Sequence, residues 1–234
     1  MSPGATVLSF AIPTGFVNVA TPVVISASYG GVTKSSTINV KPTALYSLAA
    51  STTPLTGGKV IPNATVTLDG PAPPAGGVVT FTSSNPAVAK PPVSVTVASG
   101  ATASSYFAIT TSSVTSVTPV VITASYGGVS KSVTLTVKPV ALLSFFASPL
   151  AIKGGGSIGT AKVTLDGPAP AGGVAITISS SNPAAQPPAT VTVAAGATVV
   201  SFAIPTKPVA ATTTAAVTAA YGSVSMSVNV TVNP

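Results

Sequence analysis

The octapeptide Val-Thr-Leu-Asp-Gly-Pro-Ala-Pro occupies residues 66–73 and recurs unchanged at 163–170. Such a repeat constrains the fold strongly, because both copies must satisfy one local geometry. Ser84-Asn85-Pro86 returns as Ser181-Asn182-Pro183, and Gly-Ala-Thr stands at 4–6, 100–102 and 196–198. Ala-Ser-Tyr-Gly-Gly-Val at 27–32 is identical to 124–129, with Ala220-Tyr221-Gly222-Ser223-Val224 as a third version. Lys41-Pro42, Lys138-Pro139 and Asn233-Pro234 close the three units. The register divides the 234 residues into a partial repeat, 1–42, and two full ones, 43–139 and 140–234. A full unit is too long for a leucine-rich, ankyrin or propeller-blade repeat, and it has the length of a free-standing β-sandwich domain.

Within 43–139, apolar and polar residues alternate with period 2, the signature of half-buried strands. The pattern predicts seven: A at 44–49, B at 63–69, C at 78–83, D at 93–98, E at 102–110, F at 119–126 and G at 129–138. The inward set is Val66 and Leu68; Val79 and Phe81; Val93, Val95 and Val97; Val120, Ile122 and Ala124; Val133, Leu135 and Val137. Tyr126-Gly127-Gly128-Val129 reads as a two-residue hairpin, since Gly-Gly supplies the positive φ of a primed turn. Asp69-Gly70-Pro71 closes strand B, and Ser84-Asn85-Pro86 closes C through an Asx-type turn. Lys131 falls on the inward register of G where its counterparts are Lys34 and Met226. These share an unbranched stem, which suits a core rim where a lysine snorkels outward. No window shows helical periodicity.

Taken in order, Val-Thr-Leu-Asp-Gly-Pro-Ala-Pro, Ser-Asn-Pro, Gly-Ala-Thr, Ala-Ser-Tyr-Gly-Gly-Val and Thr-Val-Lys-Pro resemble the tandem bacterial Ig-like repeats of large surface and secreted proteins, of the adhesin-stalk or fibre type. The resemblance covers nearly the whole chain. It implies an all-β fold of tandem Ig-like seven-stranded β-sandwiches, with sheets A-B-E-D and C-F-G by analogy with Ig domains. It also implies a bacterial extracellular or cell-surface setting, with further copies of the chain or neighbouring Ig-like repeats as partners. No catalytic motif carries over. Some such domains form a Lys–Asn bond beside a buried acid. Lys59 or Lys162, Asn63 or Asn229, and Asp69 or Asp166 are the available groups, but the lysines do not stand at matching places in the two repeats.

Composition narrows the function. The charged residues are nine Lys and two Asp, and the chain has no Arg, Glu, His, Cys or Trp. Zinc, copper, haem and thiol chemistry lose their usual ligands and nucleophiles. One acid per repeat is too few for a paired-carboxylate mechanism or a calcium cage. The expectation is no catalysis, no metal and no cofactor. The net charge of +7 comes from lysines scattered singly, without the Arg and aromatic clusters of a nucleic-acid surface. The charge leaves open a weak attraction to anionic cell-wall polymers, lipopolysaccharide or other cell-surface polysaccharide. Pro, Gly, Ser and Thr interrupt every apolar run before the roughly 18–20 residues of a membrane helix. Met1-Ser2-Pro3-Gly4 leads into a strand pattern without the basic and apolar regions of a signal peptide, so a secreted setting implies a mature piece or a fragment.

These readings point first to a structural module. Val137-Lys138-Pro139 runs into Val140-Ala141-Leu142 with almost no linker, which predicts a stiff tandem. The alternative is an adhesin-type module that recognises a glycan or protein through loops or a sheet edge. Its candidate is the most divergent loop, 50–62 against 148–159, Gly-rich in both units. Residues 1–42 match strands E, F and G only, at 5–12, 22–29 and 32–40. Their inward residues, Leu8, Phe10, Ile12, Val23, Ile25, Ile38 and Val40, then lack a covering half and form the expected self-association surface.

Overall fold

The computed structural model describes residues 4–234, and among these every regular element is a strand. Strands β1 (Thr21–Tyr29) and β2 (Val32–Val40) form a lone hairpin. The next unit contains β3 (Leu45–Ala49), β4 (Leu55–Thr56), β5 (Val60–Leu68), β6 (Gly77–Ser83), β7 (Ala89–Lys90), β8 (Ser94–Val97), β9 (Phe107–Thr111), β10 (Thr118–Tyr126) and β11 (Val129–Lys138). The last contains β12 (Leu142–Ser148), β13 (Ala151–Lys153), β14 (Ser157–Leu165), β15 (Val174–Ser180), β16 (Thr190–Val193), β17 (Val199–Pro205), β18 (Thr213–Tyr221) and β19 (Val224–Asn233).

Each of these two units is two sheets packed face to face. In the first, β3-β5-β9-β7 faces β4-β11-β10-β6-β8; in the second, β12-β14-β17 faces β13-β19-β18-β15-β16. The fold is an Ig-like β-sandwich. Alternation delivers the core: Val66, Val79, Val97, Val120, Ile122, Leu135 and Val137 are fully buried in the first unit, as are Val163, Ile176, Val193, Val217 and Val232 in the second. Burying a side chain of this size stabilises the fold by roughly 1.5–3 kcal/mol. The two apolar cores are separate clusters. Gly127 and Gly128 make the β10–β11 turn at φ 58° and 75°, as a primed turn requires. Lys131 is exposed while Met226 packs on the core edge, so this position is a rim.

Three expectations are corrected. Strand D, expected beside E, is β8, and it pairs with β6 instead. The sheets are therefore not A-B-E-D and C-F-G. Strand E is flanked instead by the two-residue β7. The cause is Pro91-Pro92, which follows β7, lacks N–H donors and turns the chain back toward β6. Val93 then places its carbonyl on Phe81 N–H at 3.0 Å and its side chain in solvent, 84% exposed, where an inward position was expected. Pro187-Pro188 does the same in the second unit, where β16 joins β15. Second, the segments 50–62 and 148–159, expected as loops, hold the short strands β4 and β13, which follow Pro54 and Pro149 and run parallel to β11 and β19 in the opposite sheet. Third, residues 5–12, expected as a strand, carry no ladder. In the 43–139 and 140–234 units the equivalent β9 and β17 pair with β5 and β14, and among the described residues before 43 there is no such partner strand.

Candidate functional site

Asp69 and Asp166, the two acids, end strands β5 and β14 at the identical Asp-Gly-Pro turn. Asp69 Oδ1 accepts from Ala44 N–H at 2.8 Å, and its own N–H donates to Ala44 O at 3.0 Å. Asp166 makes the same pair with Ala141, at 2.7 and 3.0 Å. Each acid thus fastens the start of strand A to the end of strand B. Asp166 does one thing more. Its Oδ2 accepts from Thr56 Oγ1 of the preceding sandwich at 2.8 Å, and that threonine is 5% exposed.

Around this bond the two sandwiches close on each other. Ser113 Oγ donates to Pro168 O at 2.6 Å, and Val114 beside it is buried. A Cβ on Gly167 would stand 2.8 Å from Thr56 Cγ2 and 3.2 Å from Gly57 O, so the backbones meet here as only glycine allows. A Cβ on Gly58 would collide with the Pro168 ring. The connection from β11 to β12 is residues 139–141 alone, and the Tyr221–Val224 turn borders a cleft of about 310 Å³ with Thr115, Pro139, Val140 and Ala141. The joint therefore holds by a carboxylate–hydroxyl bond, a hydroxyl–carbonyl bond and close apolar contact. The divergent 50–62 loop, offered in sequence as the adhesin candidate, supplies Thr56, Gly57 and Gly58 to this joint. The recurrence of Gly57-Gly58 as Gly154-Gly155 at the repeat spacing was the signal for it.

The residues expected to self-associate are only partly brought together. Ile12, Val23, Ile38 and Val40 line an apolar groove of about 210 Å³ with Phe16 and Val17, and Val23 stands opposite Ile38 in the hairpin register. Leu8 and Phe10, 65% and 67% exposed, lie outside that groove, and Ile25 is half-buried opposite Ser36. Phe16, 54% exposed, was absent from the expected set. It holds the place of Ser113 in the next repeat, and with Val17 it borders a cleft alongside Thr43 and Pro73. Tyr126 and Tyr221 pack on their cores, whereas Tyr29, on the two-stranded β1–β2 hairpin, is 90% exposed. Lys59, Lys162, Asn63 and Asn229 are all exposed, and the acids serve strand A, so no buried Lys–Asn–Asp set is assembled among these groups.

No protein-family model matches the chain, and no curated protein matches it. Solved structures do resemble it. Domains 4 and 5 of the S-layer protein SbsC are 18% identical over 81% of this chain and 98% of theirs, with a TM-score of 0.30. An E-to-A variant of the three-Ig titin segment I67–I69 is 11% identical over 92% of this chain and 74% of its own, at 0.33. The BSP domain of a biofilm-associated protein is 15% identical over 81% of this chain and 29% of its own, at 0.23. The Ig-like assignment rests on the strand order above. No helix among the described residues is long and apolar enough to cross a membrane.

Proposed function

We propose that the chain is a non-catalytic structural module, a stiff stalk or fibre subunit of tandem Ig-like sandwiches divided at 42 and 139, working outside a bacterial cell or on its surface. The observation that carries this reading is the joint at Asp166. A flexible tether does not place a carboxylate on a buried threonine of its neighbour or bring glycine backbones into contact. The repeat motifs support the setting. Of the loop pair that the adhesin alternative relies on, Thr56, Gly57 and Gly58 of 50–62 are engaged between the sandwiches, whereas 148–159 stays largely exposed.

The module self-associates through the incomplete N-terminal repeat. The groove of Ile12, Phe16, Val23, Ile38 and Val40 is apolar and open, and the hairpin carries an unpaired strand edge, features that recruit another chain by strand addition. Electron microscopy of dilute protein then shows short rods, roughly 60–80 Å for the two sandwiches. Sedimentation velocity shows concentration-dependent association that Phe16→Ser with Val23→Ser and Ile38→Ser abolishes. Compact particles contradict the rod, and a monomer at the highest soluble concentration contradicts the association.

A further inference from the structure

We infer that the C-terminal pole of the 140–234 sandwich is a receiving face for the Asp-Gly-Pro turn of a further repeat of this kind, with Lys153 taking the part that Thr56 plays at the internal joint. The inference deepens the proposed function and rests on it. Its basis is a residue-by-residue equivalence. Thr56 stands opposite Lys138 in the parallel β4–β11 pair, and Lys153 stands opposite Asn233 in β13–β19. Gly57 N–H donates to Lys138 O at 2.9 Å, and Gly154 N–H to Asn233 O at 2.7 Å. A Cβ on Gly57 would meet Ser112 O and, at 2.8 Å, Ser113 Cα; one on Gly154 would meet Lys207 O at 2.7 Å and Pro208 Cα at 2.8 Å. The backbone frame that holds the Asp166 turn is therefore built a second time.

The side chains on that second frame are open. Thr56, Gly57 and Val114 are buried at the internal joint, whereas Lys153 is exposed and Gly154 and Val209 are half-buried. Ser112 and Ser113 are replaced by Lys207 and Pro208, both exposed. Two lysines, Lys153 at the place of Thr56 and Lys207 at that of Ser112, thus stand on the frame where the occupying turn presents a carboxylate, which is charge complementarity of the right sign. The occupant is a directly following repeat, not a free second copy. In a free copy, Phe16 and Val17 already lie beside Thr43, Pro71 and Pro73, next to the Asp69 turn. The two joints also differ in kind. The internal one pairs Asp166 with a neutral hydroxyl, and the outer one pairs an aspartate with an ammonium and lacks the Ser113 hydroxyl bond. The outer joint is therefore the salt-sensitive one.

The test is the full chain with residues 43–139 appended after Pro234, which keeps the Pro-x-Ala spacing of the internal connection. The chain has no cysteine, so spin labels go in cleanly. Thr96→Cys with Thr192→Cys spans the internal joint, and Thr192→Cys with Thr96→Cys of the appended repeat spans the new one. Electron–electron distance measurements at low salt give a narrow distribution for both. In about 1 M salt, or with Lys153→Glu, the open fraction of the new joint rises about two- to five-fold while the internal joint is unchanged. Lys153→Thr makes the new joint narrow and indifferent to salt. A new joint that is broad at low salt, or that ignores either the salt or Lys153→Glu, overturns the inference. A broad internal joint overturns the proposed function as well, so the two failures are distinguishable.

Discussion

Asp69 and Asp166 sit in one octapeptide, yet Asp69 is exposed with a single backbone N–H as partner, while Asp166 is half-buried with two donors. A hydrogen bond to a charged group contributes about 1.5–3 kcal/mol when shielded, and less at an open surface. Asp166→Ala is therefore expected to lower thermal stability more than Asp69→Ala in paired melting experiments. The glycines that follow them make a second comparison. Gly167→Ala drives a methyl into Thr56 and Gly57, whereas at Gly70 the nearest atom is Thr43 Oγ1 at 3.7 Å. Gly167→Ala should widen the interdomain distance distribution, and Gly70→Ala should leave it unchanged. At this scale the sequence showed that the aspartates close a turn. It did not show that one of them reaches across the joint, because its partner Thr56 lies 110 residues away and belongs to a different repeat.

At the scale of elements, the period-2 pattern located β10 and β11 nearly to the residue and sorted their faces, because both are long and flanked by a Gly-Gly turn. It failed for β8. Alternation shows which face of a strand is buried, not which sheet it joins, and the Pro91-Pro92 pair that decides the matter acts through a missing N–H. The shortness of β4 and β13 hid them: each is two or three residues long and follows a proline closely, too short for a period-2 pattern to show. The pairing of β8 with β6 is testable by mutation. Val97→Ala, at a fully buried site, should destabilise the fold by about 1.5–3 kcal/mol in denaturant titrations. Val93→Ala, on a solvent-facing side chain, should be nearly neutral. Equal losses at the two positions would contradict the observed sheet order.

For the whole molecule, two features were visible in the sequence with different clarity. Short, proline-bearing connections announced a stiff tandem, and the joint adds the Thr56–Asp166 and Ser113–Pro168 hydrogen bonds that support that proposal. The match of residues 1–42 to strands E, F and G alone was legible in the repeat register. The groove there was not, because Phe16 and Val17 lie in a segment without strand periodicity. We propose that the two sandwiches are held at a fixed angle. It is tested most directly by the spin-label distance distribution between Thr96→Cys and Thr192→Cys in the intact chain. One narrow peak is expected, broadening when Asp166→Ala and Gly167→Ala are introduced together. A distribution already broad in the parent chain, and unchanged by those substitutions, would contradict it.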